Sequence, residues 1–288
     1  MPLSSDRGTG VMIDLYRNRD FIPDFDHLVA ETAERSHSLA SRVIIRRDIA
    51  YGATSRTTLD LVFPDAPKAG APLHMFVHGG YWRSGSKNDH TLVAAPVIAA
   101  GGIAAIVGYD LMPGTRLAAI VAQIRQACKF LARLAPEIGA DAARFTASGH
   151  SAGAHLVSLL AATAPGDDSM AADTPDLQAL LLVSGIYDLS DIPESFLKNE
   201  AQLRHDEAAA WSPLAACHRP GPLRILTRGD AETAPFHQQA RAFGKLLLNA
   251  GLRSEVYEEL DRNHLSIVLD LADPDRPLGR RLADLVAG

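Results

Sequence analysis

The sequence predicts an α/β fold in which one mostly parallel central sheet is flanked by helices on both faces. Three observations lead to this prediction: short apolar runs rich in Val, Ile and Leu beyond residue 70, longer helical patterns between them, and no internal repeat. Such alternation is typical of parallel strands joined by crossover helices. The 288 residues, 47% of them hydrophobic, suffice for one domain built around such a sheet.

The element order follows from the same patterns. Two early strands, Arg42–Ile49 and Thr57–Phe63, flank Tyr51-Gly52-Ala53 and should join the sheet as an antiparallel pair. The remaining predicted strands are Leu73–Val77, Ile103–Gly108, Arg144–Ser148, Ala179–Ser184, Leu223–Thr227 and Glu255–Glu258. The predicted helices are Asp89–Ala100, Thr115–Leu134, Ala152–Ala162, Pro235–Ala250 and Pro277–Val286.

The chain is expected to form one main domain with an N-terminal segment and one insertion. Residues 1–41 are predicted to form an N-terminal helical lid or packing segment, residues 42–288 the main domain, and residues 190–211 an insertion that roofs a pocket. The candidate walls of that pocket are the N-terminal segment, Tyr109, Phe196 and Trp211.

Charge and composition exclude several classes of partner. The net charge is −6, and no basic run with interleaved aromatic residues could follow a nucleic acid backbone. No segment approaches the roughly 20 apolar residues that span a bilayer, so no membrane association is expected. The two cysteines, Cys128 and Cys217, form neither a disulfide framework nor a paired zinc spacing. A cytoplasmic location is therefore expected, and the sequence is compatible with a homodimer.

The segment Gly149-His150-Ser151-Ala152-Gly153 lies between a predicted strand and a predicted helix. In that context G-x-S-x-G is the nucleophile turn of the α/β-hydrolase fold, where small neighbours let the chain turn sharply and expose the hydroxyl. The pattern therefore predicts Ser151 as nucleophile and the amide of Ala152 as an oxyanion donor. The alternative is that Ser151 only caps the helix.

A second glycine-containing loop, His78-Gly79-Gly80-Tyr81-Trp82, follows the predicted strand Leu73–Val77. Two residues without Cβ atoms let the backbone approach a substrate closely, so the amides of Gly80 and Tyr81 are predicted to face a developing oxyanion. Tyr81 and Trp82 either pack in the core or contact an aryl substrate.

The acid and base of a catalytic triad should follow Ser151 in the chain. His264 lies in a loop after the last predicted strand, where this fold places its base. Asp230 and Glu232 both follow the strand Leu223–Thr227. Many α/β hydrolases have the acid three residues beyond a glycine that ends this strand, which favours Glu232 over Asp230, whose alternative role is a turn residue.

Three segments together resemble the kynurenine formamidase (arylformamidase) branch of the hormone-sensitive-lipase-like hydrolases. They are the His-Gly-Gly-Tyr-Trp loop, the Gly-His-Ser-Ala-Gly-Ala-His turn and Tyr109-Asp110-Leu111-Met112-Pro113, and the resemblance extends from about residue 51 to the end. It implies oxyanion donors in the first loop and hydrolysis of N-formylkynurenine to kynurenine and formate. It also implies an acid four residues before a Phe, which fits Glu232 and Phe236, although animal and fungal members have Asp.

The sequence thus predicts hydrolysis of an aryl formamide through an acyl-enzyme on Ser151. Two alternatives stay open: a carboxylesterase for small aryl or short-chain esters, and a non-catalytic ligand-binding protein with the same fold. Metal-dependent hydrolysis is disfavoured because there is no H-E-x-x-H motif, and His150 and His155 are five residues apart. No metal and no cofactor are expected.

Overall fold

The apolar runs of the sequence form a central sheet in the computed structural model, which describes residues 13–167 and 174–288. The strands in this described part are β1 Ile44–Ala50, β2 Thr58–Phe63, β3 Ala71–Val77, β4 Ile103–Val107, β5 Ala140–His150, β6 Ala162–Thr163, β7 Ala179–Val183, β8 Cys217–His218, β9 Leu223–Gly229 and β10 Ser254–Glu259. Eight of them hydrogen-bond in the order β1-β2-β4-β3-β5-β7-β9-β10, and β6 pairs with β8 in a small antiparallel sheet.

The central sheet is parallel except at β2, which runs antiparallel to both β1 and β4. The pairings of β3 with β4 and β5, of β7 with β5 and β9, and of β9 with β10 are all parallel. The carboxyl ends of β3, β5, β9 and β10 therefore meet at the same edge, where α/β folds bind their ligands. The prediction of a mostly parallel sheet with an antiparallel pair of early strands is confirmed.

Helices cover both faces of this sheet, as predicted. Met75 and Val77 of β3 point into one apolar core, and Phe76 between them points into the other. Because both faces are buried there, the central strands β3, β4 and β7 consist of nearly continuous apolar residues. The helices are α1 Phe25–Ala40, α2 Ala94–Ala99, α3 Leu117–Leu134, α4 Ala152–Ser158, α5 His205–Trp211, α6 Ala234–Asn249, α7 Ser266–Leu271 and α8 Pro277–Ala287.

Two predicted helices are shorter as α-helices than expected. The segment predicted as helix over Asp89–Ala100 is a 3₁₀ helix over Lys87–Val93 followed by the short α2. Pro96 has no N–H to donate to the carbonyl four residues earlier, so a continuous α-helix cannot run through this point undisturbed. The predicted helix Ala152–Ala162 likewise ends as α-helix at Ser158 and continues as a 3₁₀ turn.

The described part of the N-terminal segment contains a 3₁₀ turn over Asn18–Asp20 and helix α1, and residues 1–12 of the predicted segment 1–41 lie outside the described residues. Helix α1 packs on the 3₁₀ helix Lys87–Val93, where the amide of Leu92 donates to Ser36 Oγ at 3.2 Å. The predicted insertion 190–211 contains two 3₁₀ turns and α5. Across the two described ranges, no helix has the length and apolar character needed to cross a bilayer.

Three histidines are completely buried and neutral. His74 contacts Thr146 Oγ1 and Ser148 Oγ at 2.8 and 2.7 Å. Burial lowers the pKa of His74 and His78 to about 3 and that of His155 to about 4. The folded protein therefore binds fewer protons than the unfolded chain in mildly acidic solution.

We expect the free energy of unfolding to fall as the pH drops below about 6.5, the pKa of an exposed imidazole. Above that pH the histidines are neutral in both states. Below it they bind protons in the unfolded chain first, so stability is lost by about 1.4 kcal/mol per pH unit for each histidine. Urea unfolding at several pH values between 7.5 and 4.5 measures this slope.

His74→Gln is the matched variant for this experiment. It removes one buried imidazole, so its slope should be shallower by about 1.4 kcal/mol per pH unit, whatever its stability at neutral pH. A slope equal to that of the wild-type chain would contradict a neutral His74.

Candidate active site

Ser151 lies on a strained turn between β5 and α4. Its backbone has φ of 55° and ψ of −120°, which is a rare conformation for a residue with a side chain. The neighbouring glycines make the turn feasible. A Cβ on Gly149 would lie 2.4 Å from the carbonyl of Gly153, and one on Gly153 would lie 2.0 Å from the carbonyl oxygen of Val77. The turn thus brings α4 directly onto the end of β3, as the nucleophile motif predicts.

Ser151, His264 and Glu232 form a continuous hydrogen-bonded chain. Ser151 Oγ lies 2.9 Å from His264 Nε2, and His264 Nδ1 lies 2.8 Å from Glu232 Oε2. Because a carboxylate only accepts, Nδ1 carries the ring hydrogen and Nε2 is free to accept from the serine. The side chains of His264 and Glu232 are 5% and 0% exposed, which shields the contacts from water.

Glu232 is held by further donors to its second carboxylate oxygen. Oε1 accepts from the amide of Gly229 at 2.8 Å and from the hydroxyl of Ser184 at 2.5 Å. The contact with the Gly229 amide explains why a carboxylate three residues beyond that glycine reaches the histidine. Ser184, at the end of β7 with φ of 51°, was not identified from the sequence, because a serine after a buried strand has no distinguishing pattern.

Asp230, the alternative acid, does not contact His264 in the structure. Its Oδ1 accepts from the amide of Arg262 at 3.3 Å, and its own amide donates to the carbonyl of Glu259. These contacts tie the start of the His264 loop to the end of β9. The loop passes so closely that a Cβ on Gly229 would lie 1.9 Å from the carbonyl oxygen of Arg262.

The loop after β3 has three consecutive residues with positive φ: Gly80 at 108°, Tyr81 at 49° and Trp82 at 58°. A Cβ on Gly80 would lie 2.2 Å from the carbonyl oxygen of Ser84, so only glycine fits there. In the described part of the chain, no group accepts a hydrogen bond from the amides of Gly80, Tyr81 or Ala152. Gly79, Gly80 and Tyr81 line the same cavity as Ser151. The structure therefore brings three free amides close to the serine.

The two aromatic residues of this loop have different environments. Tyr81 lines the cavity, and its hydroxyl donates to the carbonyl of Tyr16 at 2.5 Å. Trp82 is fully buried beneath the loop, and its indole N–H donates to His155 Nδ1 at 3.1 Å. Of the two roles that the sequence left open for Trp82, the structure shows packing: Trp82 anchors the loop in the core, because its indole N–H finds a buried acceptor there.

His78, at the start of the loop, is stacked between two rings. Its centroid lies 4.4 Å from that of Tyr109 and 5.5 Å from that of His90. The Nδ1 of His78 donates to the carbonyl of Gly79 at 2.7 Å. The backbone carbonyl of His78 accepts a hydrogen bond from the Tyr109 hydroxyl. Burial keeps the pKa of His78 at about 3, so the imidazole stays neutral and braces the loop.

A cavity of about 620 Å³ opens in front of Ser151 and His264. One wall comes from the N-terminal segment through Phe25 and Val29, and another from Phe196. Two of the candidate walls predicted from the sequence, Tyr109 and Trp211, are buried in the core instead. The charged residues that line the cavity are Arg17, Arg19, Arg83, Asp89 and Glu200.

The cavity combines apolar walls with few unpaired charges. Arg83 pairs with Glu200 at 2.6 Å, and Arg19 pairs with Asp26. Within residues 13–167 and 174–288, no three His, Cys, Asp or Glu side chains are grouped so that they could hold a metal ion. The structure thus brings together a serine hydroxyl, a histidine, a carboxylate and free amides at the bottom of a largely apolar cavity.

Known proteins resemble the chain in both sequence and structure. The sequence profile of the BD-FAE family matches residues 59–247, well over half of the chain. A kynurenine formamidase of Danio rerio is 26% identical over 259 residues, which cover 88% of this chain and 85% of that protein. Esterase LipQ of Mycobacterium tuberculosis is 27% identical, with coverages of 83% and 61%. The crystal structure of a candidate thioesterase from Silicibacter sp. has a TM-score of 0.80 and 24% identity, covering 97% of this chain and all of that one.

The resemblance to kynurenine formamidases and the α/β-hydrolase fold, both predicted from the sequence, are thus confirmed, and the chain is a hydrolase. The profile match covers the turn of Ser151, the loop after β3 and Glu232. The chain therefore belongs to the BD-FAE family of α/β-hydrolases.

Proposed function

We propose that this hydrolase cleaves aryl formamides by nucleophilic catalysis, with Ser151 as nucleophile, His264 as base and Glu232 as acid. The observation that carries the proposal is the hydrogen-bonded chain from Glu232 through His264 to Ser151 Oγ, with contacts of 2.8 and 2.9 Å. A base in contact with a hydroxyl, and itself oriented by a carboxylate, is the arrangement that activates serine.

In the acylation step, Ser151 Oγ attacks the formyl carbon while its proton passes to His264 Nε2. Glu232 stabilises the imidazolium and keeps the hydrogen on Nδ1. The C–N bond then breaks, and His264 returns the proton to the departing nitrogen, so that the aryl amine leaves and a formyl ester stays on Ser151.

In the deacylation step, water takes the place of the amine. His264 accepts a proton from the water, whose oxygen bonds to the formyl carbon. The bond from Ser151 Oγ to that carbon breaks, the serine recovers its proton, and formate is released.

The free amides near Ser151 supply the electrostatic part of the proposal. Both tetrahedral intermediates have negative charge on the formyl oxygen, which donors already in position stabilise without reorganisation. The amides of Gly80, Tyr81 and Ala152 have no acceptor within the described chain, so they are available to it. Each such donor is typically worth about 3 kcal/mol of barrier.

Two observations support an aryl formamide as substrate. The cavity of about 620 Å³ has the size of a small-molecule site, and its wall includes Phe25, Tyr81 and Phe196. The relative from Danio rerio, matched over 88% of this chain, is named a kynurenine formamidase. The second candidate is a carboxylesterase for small esters, which the similarity to esterase LipQ favours, because the same groups cleave esters.

We also place the protein in a reducing compartment such as the cytoplasm. Cys128 and Cys217 are both free thiols, and Cys217 is exposed to solvent. Exposed unpaired cysteines persist where thiols are kept reduced.

A comparison of substrates tests the proposed function directly. We expect kcat/KM for N-formylkynurenine to exceed that for 4-nitrophenyl acetate and butyrate once each is divided by its uncatalysed rate. Efficient cleavage of both esters without cleavage of the formamide would establish the esterase instead.

Ser151→Ala should abolish turnover and leave the fold intact. Without the hydroxyl no acyl-enzyme forms, so we expect kcat to fall at least a thousandfold. The thermal midpoint and circular dichroism spectrum should match the wild-type chain, since a small side chain is replaced by a smaller one. Hydrolysis at the wild-type rate would remove Ser151 from the reaction.

Glu232→Gln should be far more damaging than Asp230→Asn. The amide can no longer stabilise the imidazolium or hold the correct tautomer, and we expect kcat to fall about a thousandfold or more. Asp230 contacts the amide of Arg262 rather than His264, so Asp230→Asn should reduce kcat less than about tenfold. Steady-state kinetics of the two variants decide the assignment, and the opposite ranking would transfer the acid role to Asp230.

A further inference from the structure

His150, the residue before the nucleophile, has a fixed tautomer. Its Nε2 lies 2.8 Å from the carbonyl oxygen of His264, which can only accept a hydrogen bond. Nε2 therefore carries the ring hydrogen, and Nδ1 carries a lone pair. Burial and the adjacent His264 ring keep the pKa of His150 well below its usual value, so the ring is neutral near neutral pH.

The lone pair of His150 Nδ1 is free. In the part of the chain that the structure describes, no donor reaches this atom. The atom is also not sealed inside the protein. His74 and His155, by contrast, have partners on both ring nitrogens. His150 lines the cavity in front of Ser151, so the free lone pair reaches that cavity.

His150 Nδ1 lies close to Gly79 and to Ser151. A Cβ on Gly79 would lie 3.0 Å from His150 Nδ1 and 3.0 Å from Ser151 Cβ, so the two residues flank the same point. The rings of His150 and His264 are also adjacent, with centroids 4.8 Å apart. The acceptor His150 Nδ1 thus lies beside Ser151, and its ring lies beside His264, which protonates the leaving nitrogen.

We propose that His150 Nδ1 accepts a hydrogen bond from the N–H of the scissile amide and makes the site selective for amides over esters. This inference rests on the proposed function, because it concerns the same acyl transfer. It assigns His150 as a residue that determines specificity, through direct contact with the leaving nitrogen.

The chemistry of the leaving group explains why an acceptor is needed. When the amide nitrogen turns its lone pair toward His264 Nε2 to receive a proton, its own hydrogen points in another direction and needs an acceptor of its own. A buried N–H without a partner is destabilised, and His150 Nδ1 provides that partner. An ester oxygen has no hydrogen, so an ester gains nothing from this contact.

The test compares formanilide with phenyl formate, which differ only by NH in place of O. Removing the acceptor in His150→Leu should lower the ratio of kcat/KM for formanilide to that for phenyl formate by at least tenfold, because the lost donor to the His264 carbonyl slows both substrates alike. The variant His150→Gln retains both a donor for the His264 carbonyl and a carbonyl acceptor, and should restore part of the preference for formanilide. His90→Leu removes another imidazole that lines the cavity, and should leave the ratio of the two rates within about twofold of wild type.

The wild-type enzyme provides a measurement that does not depend on how the variants fold. N-methylformanilide lacks the N–H, so the rate advantage of formanilide over it should exceed the corresponding ratio for uncatalysed hydrolysis. Equal losses on formanilide and phenyl formate in His150→Leu, or a wild-type ratio no larger than the uncatalysed one, would overturn the inference. Cleavage of phenyl formate but not of formanilide by the wild-type enzyme would instead overturn the proposed function and this inference with it.

Discussion

The close passage of the His264 loop over Gly229 is the constraint on which the site depends. Ser151 and His264 are 113 residues apart in the chain, and β7 and β9 lie between the strands that carry them. To reach the serine, the loop after β10 must cross the end of β9, where a single Cβ would lie 1.9 Å from its backbone. The same glycine donates its amide to Glu232, so one residue both makes room for the His264 loop and orients the carboxylate that contacts His264.

Backbone strain is concentrated around the serine. Tyr81, Trp82, Ser151 and Ser184 all have positive φ, and each lies at or near the carboxyl end of a strand. Such conformations typically cost about 1–3 kcal/mol each and persist only where the surroundings hold them. Here the surroundings are the two apolar cores and buried hydrogen bonds such as that between Trp82 and His155. The rigid sheet thus supports a geometry that an isolated loop would not adopt.

Buried histidines around the site act through one tautomer each. His78 braces the loop after β3, His155 anchors Trp82, and His150 donates to the carbonyl of His264. Burial keeps the pKa of all three below the usual value, so their hydrogen-bonding pattern does not change near neutral pH. None of these three histidines has the contacts of His264, which lies between Ser151 Oγ and the carboxylate of Glu232.

The class of fold, the turn of Ser151, the loop of Gly79 and Gly80, and the place of His264 in the chain could all be predicted from local sequence. These features depend on local rules: the alternation of apolar and helical segments, glycines where backbones approach, and the chain order of the triad. Other features came from contacts between segments far apart in the chain, which placed Trp82 in the core and gave Phe25 and Ser184 a place at the site. The spacing from Gly229 favoured Glu232 over Asp230, but the contact of Glu232 with His264 depends on how the loop after β10 crosses the end of β9, which no local pattern specifies.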